Sequence, residues 1–170
     1  MPQAAFERIR ERRIRHERQW LRRTAACNPR LLVLPEGDAG PVWLPETPFY
    51  LPGGATGRGL MARFSFPEYY PSVPLEAWLA TPVLHPNVHP ETGFVCLWDM
   101  HHEGASLVEA VRQLQRVVTW HLYNLSADHL MQPEAGPRDP LPYEPVVPPP
   151  EYHLERSAGF LAGKRRNRLS

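Results

Sequence analysis

The sequence predicts an α+β protein. Proline makes up 21 of the 170 residues, yet there is none from Gln3 to Asn28 and none from Glu91 to Gln132. An interior proline costs a helix about 3 kcal/mol, so these two windows are where helices can form. Between them lie short segments of alternating or wholly apolar character, joined by turns too short to hold a crossover helix. That pattern predicts an antiparallel meander and not parallel βαβ units.

The first window predicts a helix of roughly 20 residues. Phe6, Ile9, Trp20 and Leu21 give it an apolar stripe, broken by Arg13 and His16, and its many arginines form a basic outer face. Apolar or alternating segments follow at Leu31 to Leu34, at Val42 to Leu44 and Phe49 to Leu51 with turn residues between, at Leu60 to Phe66 and at Leu75 to Ala80, and they are read as a four-stranded meander. The third alternates most clearly, with Leu60, Ala62, Phe64 and Phe66 on one side and Met61, Arg63 and Ser65 on the other. An irregular stretch from Thr81 to Ala105 follows, of a length usually reserved for function. In the second window Leu107, Val111, Leu114, Val118, Leu122 and Leu125 recur at spacings of four and three. Ser106 and Glu109 outline a capping box before them. This is the expected central helix.

From Pro133 to Pro150 there are eight prolines in 18 residues, and the chain ends in a basic run after Lys164. Residues 1–132 are therefore read as the folded domain. Residues 133–170 are read as a Pro-rich and basic tail that packs little of its own core.

Composition excludes several classes. A formal net charge of +1, from 19 basic and 18 acidic side chains, argues against holding nucleic acid through bulk positive charge. No apolar run is long enough to span a membrane. The first residues run into arginines with no apolar core of a signal peptide. Cys27 and Cys96 form no CxxC pair, so free thiols and a cytoplasmic setting are expected. Lys164 is the only lysine, which, with the high arginine and proline content, reads as the mark of a GC-rich bacterial genome.

The chemistry-bearing residues fall in and before the irregular stretch. In order they are Gly53-Gly54, Phe66-Pro67, Tyr70-Pro71 with Pro74, His85-Pro86-Asn87, and Cys96-Leu97. This ordered set, from about Phe6 to Leu125, resembles the ubiquitin-conjugating enzyme family. The resemblance implies that family's fold: an N-terminal helix, a four-stranded antiparallel meander, an active-site loop and a central helix. The chain departs from the family in places. Asn87 and Cys96 are nine positions apart, one more than is usual, with His89-Pro90-Glu91-Thr92 as the longer turn. Leu75 stands where a further proline is usual. The segment from Cys96 to the helix is short, and the Pro-rich tail replaces two C-terminal helices. These departures resemble a divergent bacterial branch, whose members stand beside a ubiquitin-like protein, an activating enzyme and a deconjugating protease in operons linked to phage defence.

The resemblance implies a carrier that takes a ubiquitin-like protein from an ATP-dependent activating enzyme as a thioester on Cys96. It then passes the acyl group to an amine on a target, with no cofactor or metal. A thiolate is the right nucleophile, because exchange between two thiols is nearly balanced and needs positioning above all. Asn87 has two open roles: donating to the oxyanion, worth up to about 3 kcal/mol, or holding the loop in shape. His85 orients the loop. Asp139 is the candidate for positioning the attacking amine, with Asp99 and Asp128 as rivals and His101 and His102 as further proton acceptors. Arg8, Arg12 and Arg15 are the candidates for docking the activating enzyme. Cys27 is read as inert.

Three other classes are weighed beside this one. A non-catalytic binding module of the same fold is opposed by the cysteine. A metal protein would use His85, His89, Cys96, His101 and His102, which have no recognised zinc spacing. A cysteine hydrolase lacks a visible histidine–acid arrangement in the sequence.

Overall fold

The sheet has five antiparallel strands in sequential order, one more than expected. The structure is a computed structural model and describes residues 2–35, 41–98 and 105–156. Helix α1 spans Pro2–Ala26, followed by β1 (Leu32–Val33), β2 (Val42–Tyr50), β3 (Thr56–Ser65), β4 (Glu76–Leu79), β5 (Phe94–Val95) and helix α2 (Leu107–Val118). The architecture is α+β, with an N-terminal helix and a meander.

The differences from expectation have physical causes. The two segments expected around Val42 and Phe49 are one strand, β2, whose register with β3 shifts between Leu44 and Pro48. Pro45 falls inside that irregularity, where it has no N–H to give to the ladder, so pairing lapses and then resumes. The fifth strand, β5, pairs Val95 with Ala77 and Phe94 with Trp78. Two residues are too few to show a period.

In β3 the alternation is as read: Leu60, Ala62 and Phe64 are buried, while Arg63 is exposed. They join Val42, Leu44, Ala77, Leu79 and Val95 beneath α2, which contributes Leu107, Ala110, Val111, Leu114 and Val118.

Helix α2 begins as expected, with both halves of the Ser106–Glu109 capping box formed. It ends earlier. Trp120 takes a left-handed conformation with φ 63°, which stops the helix seven residues before the leucine stripe runs out at Leu125. Its buried indole compensates for that conformation. The ring lies edge-on to His85 at 4.7 Å and to Tyr50 at 6.3 Å, and Nε1 donates to the Leu84 carbonyl at 3.2 Å. Leu125 is consequently exposed.

Helix α1 packs through Ile14, Glu17, Trp20, Leu21 and Thr24, a stripe that includes two polar residues. Ile9, expected on the inner face, is exposed. Glu17 explains the difference. Its buried carboxylate accepts from Arg13 Nε at 2.7 Å and from the backbone N–H of Leu107 at 2.9 Å. A carboxylate is thus placed at the positive end of α2, where an anion is favoured.

The Pro-rich segment, expected to pack little core of its own, is largely irregular after a 3-10 turn at Pro133–Ala135 and is fastened to the domain by a few side chains. Ala135, Val146 and Tyr152 are buried. Asn28 Nδ2 donates to the Val147 carbonyl, and Val146 N donates to Gln115 Oε1. Residues 150–156 are helical and place Tyr152 against Trp20 and the Ser106 hydroxyl. Extended proline-rich chain carries few side chains into a core, but those few are enough to fasten it.

Candidate active site around Cys96

The site is built on a small hairpin. Val88 bridges Val95, and His89 N donates to Phe94 O at 2.8 Å while Gly93 N donates to His89 O at 3.0 Å. The His89 imidazole closes the turn by accepting from the backbone of Glu91 and Thr92. Gly93 has φ +72°, and a Cβ there would stand 2.1 Å from the Leu79 carbonyl oxygen, so only glycine fits. The segment between Asn87 and Cys96 is folded into this turn. Directly after β5, Cys96 N donates to Asn87 O at 2.9 Å, which fixes the cysteine opposite Asn87. Cys96 is half-buried and keeps its thiol.

His85 is fully buried, and its Nδ1 accepts from Asn87 N at 3.1 Å. Burial lowers its pKa from 6.5 to about 4, outweighing the Leu122 backbone, which favours the charged form. The ring is neutral at pH 7 and has a hydrogen bond to keep, so it shapes the loop and is not poised as a base.

Asn87 is also buried, and its whole side-chain amide is committed. Nδ2 donates to the carbonyls of Asn124 at 2.6 Å and His129 at 2.9 Å, and Oδ1 accepts from Asn124 N at 2.8 Å. Of the two roles open from the sequence, loop-holding is the one this geometry displays, because both amide protons are already used. The neighbouring residues grip the same loop. Met131 N and Gln132 N donate to Pro86 O, and Gln132 Nε2 donates to the carbonyls of Val83 and Val88.

The clamped loop delivers a histidine that the sequence reading did not single out. Nδ1 of His129 lies 2.9 Å from Sγ of Cys96. A thiol in contact with an imidazole nitrogen can pass its proton to it, giving the thiolate that attacks a carbonyl. The available signal was the run Asn124, Ser126, Asp128, all turn-forming residues, ahead of His129. Extending the helical stripe to Leu125 concealed it.

The other expected site residues lie elsewhere. Asp139 is exposed, and its backbone carbonyl accepts from Tyr50 Oη at 2.9 Å. Among the described residues it is His129, not Asp139, that stands against Cys96. Asp128 is exposed beside His129. Asp99, His101, His102 and Lys164 lie outside the described residues. Arg8, Arg12 and Arg15 are exposed at successive turns of α1. Cys27 is exposed at the end of α1, its Sγ near the Arg23 carbonyl at 3.2 Å.

Among the described residues no three His, Cys, Asp or Glu side chains gather as a metal site, and no helix is long and apolar enough to cross a membrane. A cavity of about 480 Å³ runs along α2, lined by Trp98, Arg112, Arg116 and Tyr143 among others, and does not include Cys96. No protein-family model matches the chain, and no curated protein matches it.

Proposed function

We propose that the protein is an acyl carrier of the ubiquitin-conjugating type. It takes a ubiquitin-like protein from an ATP-dependent activating enzyme as a thioester on Cys96 and transfers it to an amine on a target. The observation that carries this reading is the contact of a half-buried Cys96 thiol with the His129 imidazole. The ordered motifs around it supply the acyl class, and the exposed Arg8, Arg12 and Arg15 supply a docking face for an acidic partner.

The test is charging. Protein mixed with a ubiquitin-like modifier, its activating enzyme and ATP should give an adduct on a non-reducing gel. The adduct should disappear with added thiol and be missing from Cys96→Ala. An adduct that survives in Cys96→Ala refutes the site.

The same thiol–imidazole contact favours a second reading, a cysteine hydrolase of thioesters or amides. The two differ in the acceptor. A carrier holds its acyl group until an amine arrives, whereas a hydrolase releases it to water.

A further inference from the structure

We infer that Cys96 and His129 form one acid–base couple, in which His129 takes the Cys96 proton before charging and the acceptor amine's proton during transfer. The group-transfer half rests on the carrier reading above. The thiol half stands on the geometry alone.

Three features support the couple. The Sγ–Nδ1 separation of 2.9 Å is direct, with no intervening group. Two side chains fix the backbone around the ring: Asn87 on the carbonyls of Asn124 and His129, and Gln132 on Val83 and Val88. The side chains of Ser126 and Asp128 beside it are exposed, and His129 itself is only half-buried, so an amine can reach the same edge of the site. By contrast, His85 is sealed in the core with its Nδ1 occupied. Asp128, the residue before His129, has an exposed carboxylate, which suits a cationic lysine side chain as the acceptor.

The steps balance. Cys96 gives its proton to His129, and the thiolate attacks the carbonyl carbon of the donor thioester. The donor's C–S bond breaks with its electron pair on the donor sulfur. His129 releases its proton to solvent. A neutral amine then attacks the Cys96 thioester and a C–N bond forms. The C–S bond breaks with its pair on Sγ, and the nitrogen's surplus proton moves to His129. The thiolate and protonated imidazole formed in the first step are restored.

The experiment is alkylation of the full chain by iodoacetamide, followed at Cys96 by peptide mass spectrometry from pH 5 to 9. Wild type should show a midpoint at least one pH unit below the ordinary cysteine value of about 8.5. His129→Gln should return it to about that value, with an unchanged far-UV spectrum. Cys27 in the same digest serves as internal reference. A Cys96 profile that is the same in wild type and in folded His129→Gln overturns the couple, whatever becomes of the carrier reading. Should His129→Gln fail to fold, His129→Asn is judged by the same profile. A second arm uses a glycine-ended peptide thioester and free lysine as probes. Aminolysis of the acylated protein should fall by about 100-fold in His129→Gln. Aminolysis unchanged by that substitution overturns the base role. A wild-type protein that never acquires the acyl group refutes the carrier reading, and with it the transfer half of the couple.

Discussion

Asn87 donates its side-chain amide to the backbone carbonyl of His129 at 2.9 Å. The cysteine that follows β5 is bonded through its own N–H to the Asn87 carbonyl. One buried asparagine therefore holds both members of the Cys96–His129 pair, one through its backbone and one through its side chain. The His85-Pro86-Asn87 segment works as a clamp: His85 fixes Asn87, Pro86 fixes Met131 and Gln132, and Asn87 fixes the middle of the loop.

Replacing Asn87 with Ala should strand two carbonyls and one N–H. Each stranded, partly buried group costs up to about 1–3 kcal/mol, so the thermal midpoint should fall clearly. The Cys96 alkylation profile should move toward that of His129→Gln. An Asn87→Ala protein with wild-type stability and reactivity would contradict the clamp.

His85 gives a pH signature of stability. Its pKa falls from 6.5 in the unfolded chain to about 4 in the fold. A depressed histidine pKa means that the unfolded chain binds the extra proton. The contribution is complete above pH 6.5 and is lost as pH drops from 6.5 toward 4. At 1.36 kcal/mol per pKa unit it totals about 3 kcal/mol. Urea unfolding at pH 7 and pH 4.5 should show a larger loss in wild type than in His85→Gln, by about 2–3 kcal/mol. Equal losses would contradict the buried neutral ring.

Glu17 links the two helices. Glu17→Ala leaves the Leu107 N–H without its acceptor and Arg13 without its carboxylate partner, and should cost about 2–3 kcal/mol in urea unfolding. Glu17→Gln, which keeps one acceptor oxygen, should cost less. Wild-type stability in Glu17→Ala would show that the contact contributes nothing.

The exposed arginines of α1 should act on encounter and not on folding. Reversing Arg8, Arg12 and Arg15 to Glu should slow charging by the activating enzyme by about 10-fold or more at low salt. The defect should shrink as salt rises, while the unfolding midpoint stays put. Normal charging at low salt would place the docking face elsewhere.

How far the fold was legible follows from which signals are local. Proline gaps located both helices, and strict alternation located β3. The capping box at Ser106 was visible because its residues are three apart in sequence. The turn-back at Trp120 was not, because a left-handed tryptophan is stabilised by burial against His85 and Tyr50, both distant in sequence. Glu17 was hidden for the same reason: a carboxylate reads as surface until its partner at Leu107 is known. At the site, Cys96 and the His85-Pro86-Asn87 segment announced themselves as motifs. His129 stands 33 residues after Cys96 and meets it only through the loop that Asn87 clamps. No spacing rule reaches that far.

The central claim, that Cys96 carries an acyl group, is tested most directly by the intact mass of the protein after incubation with a glycine-ended peptide thioester. One added acyl unit is expected, mapping to Cys96, released by hydroxylamine, and persisting in buffer until an amine is supplied. An unmodified mass, or an adduct equally present in Cys96→Ala, would contradict it.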